Sequence, residues 1–126
     1  IICITNQPGI AKGFIKEKKV NKIHNILNQR LFSKTGAAFD RFYYCPHHPE
    51  KGFKGEIKKL KIKCLCRKPN IKLFSKAISD FDLDKKSIFN IGNSWIDMEA
   101  GIKSGIKNNY LINHNINEIK GTKKFN

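Results

Sequence analysis

Short apolar runs, each closed by a polar turn, constrain this chain more than any other feature. Residues 1–5 are almost continuously apolar and stop at Asn6-Gln7-Pro8-Gly9. A strand covered on both faces of a parallel sheet reads this way. Residues 37–45, with Phe39, Phe42, Tyr43 and Tyr44, form a second such run, halted by Pro46 and Pro49. Residues 87–91 form a third, closing on Gly92-Asn93-Ser94, and residues 109–112 a fourth. Helical periodicity fills the spaces between them. From Lys16 to Phe32, Val20, Ile23, Ile26, Leu27 and Leu31 recur at helical spacing among lysines, and Gly36 follows as a terminator. Ile71, Phe74, Ala77, Ile78 and Phe81 share a face over residues 71–81, broken by Asp82-Leu83-Asp84, and a short helix over 97–104 ends at Gly105. The order β-α-β-loop-α-β-α-β predicts an α/β fold, a parallel sheet with helices on both faces. Ligands of such sheets sit beyond the carboxyl ends of the strands. Those ends carry Thr5-Asn6, Cys45-Pro46-His47 and Gly92-Asn93-Ser94.

The 126 residues suffice for one small domain, and no apolar run approaches the ~20 residues of a membrane helix. Nothing at the start reads as a signal peptide, so a cytoplasmic protein away from membranes is expected; a monomer is also expected. The net charge is +15, from 25 Lys and Arg against 10 Asp and Glu. Only Arg30, Arg41 and Arg67 are arginines, whereas nucleic-acid readers draw on Arg for bidentate contacts. The Lys, Ile and Asn excess fits drift of a solvated surface, and no specific nucleic-acid partner is expected. A phosphate-bearing small ligand also suits the charge.

The loop over residues 47–68 is long for a compact domain and needs an organising device. Cys45-Pro46-His47 precedes Cys64-Leu65-Cys66 by 16 residues. Three thiolates and one imidazole make a filled tetrahedral set, which suits structural zinc at Cys45, His47, Cys64 and Cys66. His48 is the competing ligand; His47 is preferred because its one-residue spacing mirrors the Cys pair. Cys3 reads as a small core residue, and His24 and His114 as surface residues.

Four blocks in order carry a family resemblance. They are Thr5-Asn6-Gln7-Pro8-Gly9-Ile10-Ala11-Lys12-Gly13, Tyr43-Tyr44-Cys45-Pro46-His47-His48-Pro49-Glu50, Cys64-Leu65-Cys66-Arg67-Lys68-Pro69 and Gly92-Asn93-Ser94-Trp95-Ile96-Asp97-Met98-Glu99-Ala100-Gly101. Together they resemble the D-glycero-D-manno-heptose 1,7-bisphosphate 7-phosphatases of the haloacid dehalogenase superfamily, near the histidinol-phosphate phosphatases. The resemblance implies a Rossmann-like parallel sheet with a zinc-binding loop. It also implies phosphomonoester hydrolysis through an aspartyl-phosphate, with magnesium as catalytic cofactor and a sugar phosphate of lipopolysaccharide or surface-glycan assembly as substrate. Carried over by position, Thr5 holds phosphoryl oxygens, Asn6 contacts substrate, Lys68 neutralises developing charge and Arg67 grips the distal phosphate. Cys45, His47, Cys64 and Cys66 match the zinc ligands, and Asn93 and Asp97 the magnesium block.

Three departures stand out. The strand bearing the family's two catalytic aspartates, a central strand upstream of residue 1, is absent, and its loss should leave a gap in the sheet. Asn93 replaces an aspartate, which weakens a site for a hard cation. Ile71-Lys72-Leu73 replaces a Pro-Gly-Met segment. The expectation is a partial domain over residues 1–117 with a zinc loop at 45–66 and a frayed basic tail at 118–126. As such it would be an inactive fragment lacking its nucleophile, with a decayed relative as the other explanation. A histidinol-phosphate or polynucleotide 3′-phosphatase relative and a non-catalytic zinc-stabilised binding module are the alternative functions.

Overall fold

The computed structural model describes residues 1–112 and 123–125. The expected position of His114 and most of the tail lie outside them. The elements in order are β1 (Ile2–Asn6), α1 (Pro8–Ala11), α2 (Glu17–Thr35), β2 (Arg41–Cys45), α3 (Lys72–Asp80), β3 (Phe89–Gly92), α4 (Trp95–Lys103), β4 (Asn108–Leu111) and β5 (Lys123–Phe125). A single 3₁₀ turn, Lys58–Leu60, interrupts the long loop. The chain divides into two compact units, Ile1–Cys64 and Leu65–Asn126.

In the first unit β1 and β2 pair in parallel, with Thr5 opposite Tyr44 and Asn6 opposite Cys45. The amphipathic pattern places α2 across this pair, burying Val20 and His24. His24 is thus not the surface residue the sequence suggested. Its ring stacks on Phe42, with centroids 4.5 Å apart and planes 10° from parallel. The helix runs three residues past Phe32 and ends at Gly36, whose left-handed φ of 71° lets its N–H close on the Phe32 carbonyl at 2.8 Å. The turn after β1, expected to be irregular, is the four-residue helix α1, with Pro8 in its first turn and Ile10 and Ala11 buried. Ile57 N–H donates to the Ala11 carbonyl at 2.9 Å, and Gly13 lies so close to the Gly55 carbonyl that a Cβ would come within 2.0 Å of its oxygen.

In the second unit β3 and β4 pair in parallel. β5 adds antiparallel to β4, so residues 123–125 of the expected frayed tail form a strand. Leu73, Phe74, Ala77, Met98, Ala100 and Ile106 form the apolar interior of this unit. Asn109 is fully buried there and its Oδ1 accepts from the Asn90 amide at 3.0 Å. The architecture is α/β, as the alternation predicted, but the described strands form two small sheets instead of one parallel sheet: β1-β2 is parallel, and β3-β4-β5 joins a parallel pair to an antiparallel strand. Full burial of the strands does not hold: β1 is half-buried along its length, Cys3 included, and Phe89 and Ile91 of β3 are 65% and 62% exposed. The reason is topological. Among the described residues β1 and β3 are each an edge of their own small sheet, with one strand neighbour apiece.

Candidate active site and metal centre

Cys45 is the last residue of β2 and is fully buried; Pro46 then turns the chain so that His47 comes back toward it. Cys45 Sγ lies 3.6 Å from His47 Nδ1 and 3.5 Å from Cys64 Sγ. One donor atom from each of Cys45, His47, Cys64 and Cys66 falls within 4.8 Å of all the others. None of the four cysteines forms a disulfide. Bonds of about 2.3 Å to sulfur and about 2.0 Å to nitrogen put the edges of a zinc tetrahedron at about 3.5–3.8 Å. The donor set and its spacing therefore fit a four-coordinate zinc. His48 turns elsewhere: its Nε2 faces Glu50 at 3.7 Å and its ring meets Phe53 edge-on.

The loop that leaves His47 is organised around Phe53. His48 N–H donates to the Leu60 carbonyl at 3.1 Å, drawing its two arms together. Glu56 accepts the backbone N–H groups of Gly52 and Phe53, and its Oε2 stands 3.7 Å from Lys61 Nζ. The backbone bond from Phe53 is the chief cause that holds the Glu56 carboxyl below its usual range. Lys12 and Lys61 each place an ammonium about 4.5 Å from the Phe53 centroid, and Phe14 packs edge-on against the same ring.

Thr5 and Asn6 occupy the carboxyl end of β1. The Thr5 hydroxyl accepts from Gln7 Nε2 at 3.2 Å and donates to the Asn6 carbonyl at a long 3.5 Å. Gln7, a turn residue by its sequence setting, thus holds that hydroxyl. Its own N–H donates to the Cys45 carbonyl at 2.8 Å, which locks the turn to the end of β2.

In the second unit the residues after Cys66 carry the charge. Lys68 Nζ meets Asp97 Oδ1 at 2.7 Å, with both side chains about 10% exposed. Asp97 Oδ2 accepts from Asn93 N–H at 3.2 Å, Ser94 N–H at 3.1 Å and Ser94 Oγ at 2.7 Å. Ser94 and Asp97 form a capping box at the start of α4. Gly92 is required beside them, since a Cβ there would lie 2.4 Å from Asp97 Cβ. Burial works against ionisation of Asp97, but the Lys68 and Ser94 hydrogen bonds and the Lys68 charge outweigh it and hold its carboxyl below the ordinary range. The Asn93 side chain is exposed. Arg67 Nη1 is buried and has no hydrogen-bond partner among the described residues. The Asp80-Phe81-Asp82-Leu83-Asp84 run offers no nucleophile pair at a strand end. Asp80 pairs with Lys76, and Asp84 caps the turn into β3 through Lys86 N–H and the Ser87 hydroxyl.

No family model matches the chain. It is 33% identical over 112 residues to the D-glycero-beta-D-manno-heptose-1,7-bisphosphate 7-phosphatase of Haemophilus ducreyi, covering 89% of this chain and 59% of that one. It is 32% identical to the enzyme of the same name from Helicobacter pylori, covering 91% and 60%. The corresponding alpha-heptose enzyme of Campylobacter jejuni is 36% identical, with 86% and 55% covered. Among solved structures, the D,D-heptose 1,7-bisphosphate phosphatase of B. bronchiseptica, complexed with magnesium and phosphate, matches with a TM-score of 0.72 and 27% identity over 88% of this chain and 55% of that one. A HAD-like protein from Mesorhizobium loti matches with a TM-score of 0.79 and 25% identity, covering 88% and 51%. The chain spans between half and three fifths of the length of these relatives. The resemblance carried by the four sequence blocks is borne out by these similarities.

Proposed function

We propose that the chain is the zinc-loop portion of a haloacid-dehalogenase-type phosphatase that removes the 7-phosphate of a D-glycero-D-manno-heptose 1,7-bisphosphate. The observation that carries the reading is the anion grip directly after Cys66. Lys68 is held at 2.7 Å by Asp97, and the neighbouring Arg67 has a buried nitrogen in want of an acceptor. A largely buried cation already fixed in place stabilises charge that develops during reaction, because no reorganisation is needed at that moment. In this reading Lys68 faces the phosphoryl group in transfer and Arg67 holds the distal phosphate. Thr5, its hydroxyl oriented by Gln7, donates to a phosphoryl oxygen, and Asn6 contacts the sugar. The zinc set Cys45, His47, Cys64 and Cys66 fixes the loop that shapes the mouth.

The nucleophile comes from a segment outside these 126 residues, a strand bearing two aspartates that lies beside β1. One aspartate oxygen forms a bond to phosphorus as the bond to the sugar oxygen breaks. The second aspartate gives that oxygen a proton, and water then attacks the acyl phosphate to release inorganic phosphate. Magnesium would be held at the Asn93 and Asp97 block, where it supplies positive charge to the phosphoryl oxygens. The amide of Asn93 makes this a weakened site, and Asp97 already spends its oxygens on Lys68 and the turn.

The test is phosphate release from heptose 1,7-bisphosphate with magnesium. The 126-residue chain should release none at a useful rate. A chain extended by the aspartate-bearing strand should turn over, and Asn93→Asp in that extended chain should raise the rate further. Robust magnesium-dependent release by the 126 residues alone would show the nucleophile to be misplaced, and an inert extended Asn93→Asp chain would favour a decayed relative.

A further inference from the structure

Gln7 stands at the N-cap of α1, yet its side chain makes no capping bond there. N-caps favour Asn, Asp, Ser and Thr, whose short side chains meet the first free N–H groups of a helix. The longer Gln side chain turns back instead, and its Nε2 donates to Thr5 Oγ1 at 3.2 Å. The position thus forgoes a cap and gains a hold on Thr5.

The direction of that bond matters. A hydroxyl has one proton to give and two lone pairs to receive with. Because Gln7 donates, it occupies a lone pair of Thr5 and leaves the proton for another acceptor. That proton is turned toward the Asn6 carbonyl over 3.5 Å, at the long limit of a hydrogen bond. It is therefore readily surrendered to a stronger, charged acceptor such as a phosphoryl oxygen.

The backbone of the same residue leads to the metal centre. Gln7 N–H donates to the Cys45 carbonyl at 2.8 Å, and Asn6 lies opposite Cys45 in the β1-β2 register. Cys45 ends β2, and Pro46 after it has no N–H with which to extend the ladder. This strand end is held further by the fully buried Cys45 side chain, whose Sγ belongs to the donor cluster with His47, Cys64 and Cys66. A metal bond at that sulfur fixes the residue whose carbonyl holds Gln7, and Gln7 in turn fixes the Thr5 hydroxyl. Thr5, Gln7 and Cys45 all belong to the first unit.

We infer that Gln7 is a positioning residue that couples the zinc centre to the phosphate-holding hydroxyl. Filling of the cysteine cluster sets the orientation of Thr5 through the Cys45 carbonyl and the Gln7 amide. The role given to Thr5 rests on the proposed function; the link from metal to amide does not.

The link is read from the side-chain amides of the isotope-labelled 126-residue chain by NMR. Spectra are taken with zinc bound, after its removal by a chelator and after reloading. The Gln7 NH₂ pair should sit at hydrogen-bonded shifts with zinc, move to free-amide positions without it, and return on reloading. The Asn28 amide, which donates to the Phe39 carbonyl at 3.2 Å in the same unit, is the internal control and should stay in place. A Gln7 pair indifferent to zinc would overturn the coupling. So would equal loss of the Gln7 and Asn28 bonds, since the metal would then only fold the unit. Thr5→Val with zinc bound should release the Gln7 pair, and a pair unmoved by that change would also overturn it.

The consequence for the hydroxyl is read from phosphate release by the chain extended with the aspartate strand. Gln7→Asn, a better cap that is too short to reach Thr5, should leave the melting temperature unchanged or raised yet lower kcat/KM about tenfold. On a Thr5→Val background the same change should cost less than about twofold. A loss that persists on that background, or that tracks lost stability, would show that Gln7 does not act through Thr5. The amide can follow zinc while the extended chain fails to release phosphate, so failure of the coupling and failure of the proposed function are told apart.

Discussion

The carboxylate of Asp97 serves two neighbours: Oδ1 holds Lys68 and Oδ2 gathers the Asn93-Ser94 turn. Removing one partner of a largely buried ion pair leaves the other uncompensated, at a cost of about 3–5 kcal/mol. Asp97→Ala should therefore destabilise by about that much, and by more than Lys68→Ala, because it also undoes a helix cap worth about 1 kcal/mol. Urea unfolding of the two variants gives the comparison. The metal set makes a separate forecast. Elemental analysis after purification without chelator should find about one zinc per chain, lost in Cys64→Ser with Cys66→Ser together with thermal stability. Full metal retention in that double variant would rule out the ligand assignment. His24 contributes a pH dependence. Burial lowers its pKa below the ordinary 6.5, so the folded state favours the neutral ring. Its contribution is complete above that value and declines as the pH falls through the window between the unfolded and folded pKa values. His24→Gln should flatten part of the loss in melting temperature between about pH 7 and pH 5.

At the scale of elements, α4 and the β3-β4 pair meet through polar groups. A Cβ on Gly101 would approach Asn109 Oδ1 to 2.1 Å and Asn90 Nδ2 to 2.3 Å, in a place where Asn109 is fully buried. Gly101→Ala should push these amides apart and cost about 2–3 kcal/mol, seen as a lower denaturation midpoint with unchanged slope. This contact shows where sequence reading stops. Apolar periodicity announced α2, α3 and the strands, because it records which side of an element meets the core. It gave no sign that Asn109 is interior and bonded to the half-buried Asn90, since their hydrogen bond joins positions 19 residues apart. α1 escaped for a related reason: four residues are too few for periodicity to register, and only the Pro at its start hinted at a helix. The paired Cys-x-His and Cys-x-Cys spacing was legible because metal ligands must cluster whatever the fold around them. Gln7 and Asp97, which position Thr5 and Lys68, were not legible in those roles. A side chain that acts through another leaves no spacing rule to read.

For the molecule as a whole, the +15 charge is spread over lysines instead of being gathered on arginines, and this sets its behaviour toward polyanions. Duplex DNA should bind weakly, at roughly 10⁻⁴–10⁻⁶ M, with affinity falling steeply as salt rises. A filter-binding series with several sequences tests this, and a sequence preference that persists at ~0.2 M salt would instead point to a nucleic-acid module.

The loop between His47 and Cys64 starts and finishes at the same donor cluster, and His48 and Leu60 clasp its arms. Whatever happens between those fixed posts, the sheet below does not have to be rebuilt. Such a stretch can lengthen, shorten or change its lysines over generations while the framework stays legible to its descendants. A loop transplanted between relatives at these same posts should therefore be accepted as an exchangeable part, with the melting temperature little changed.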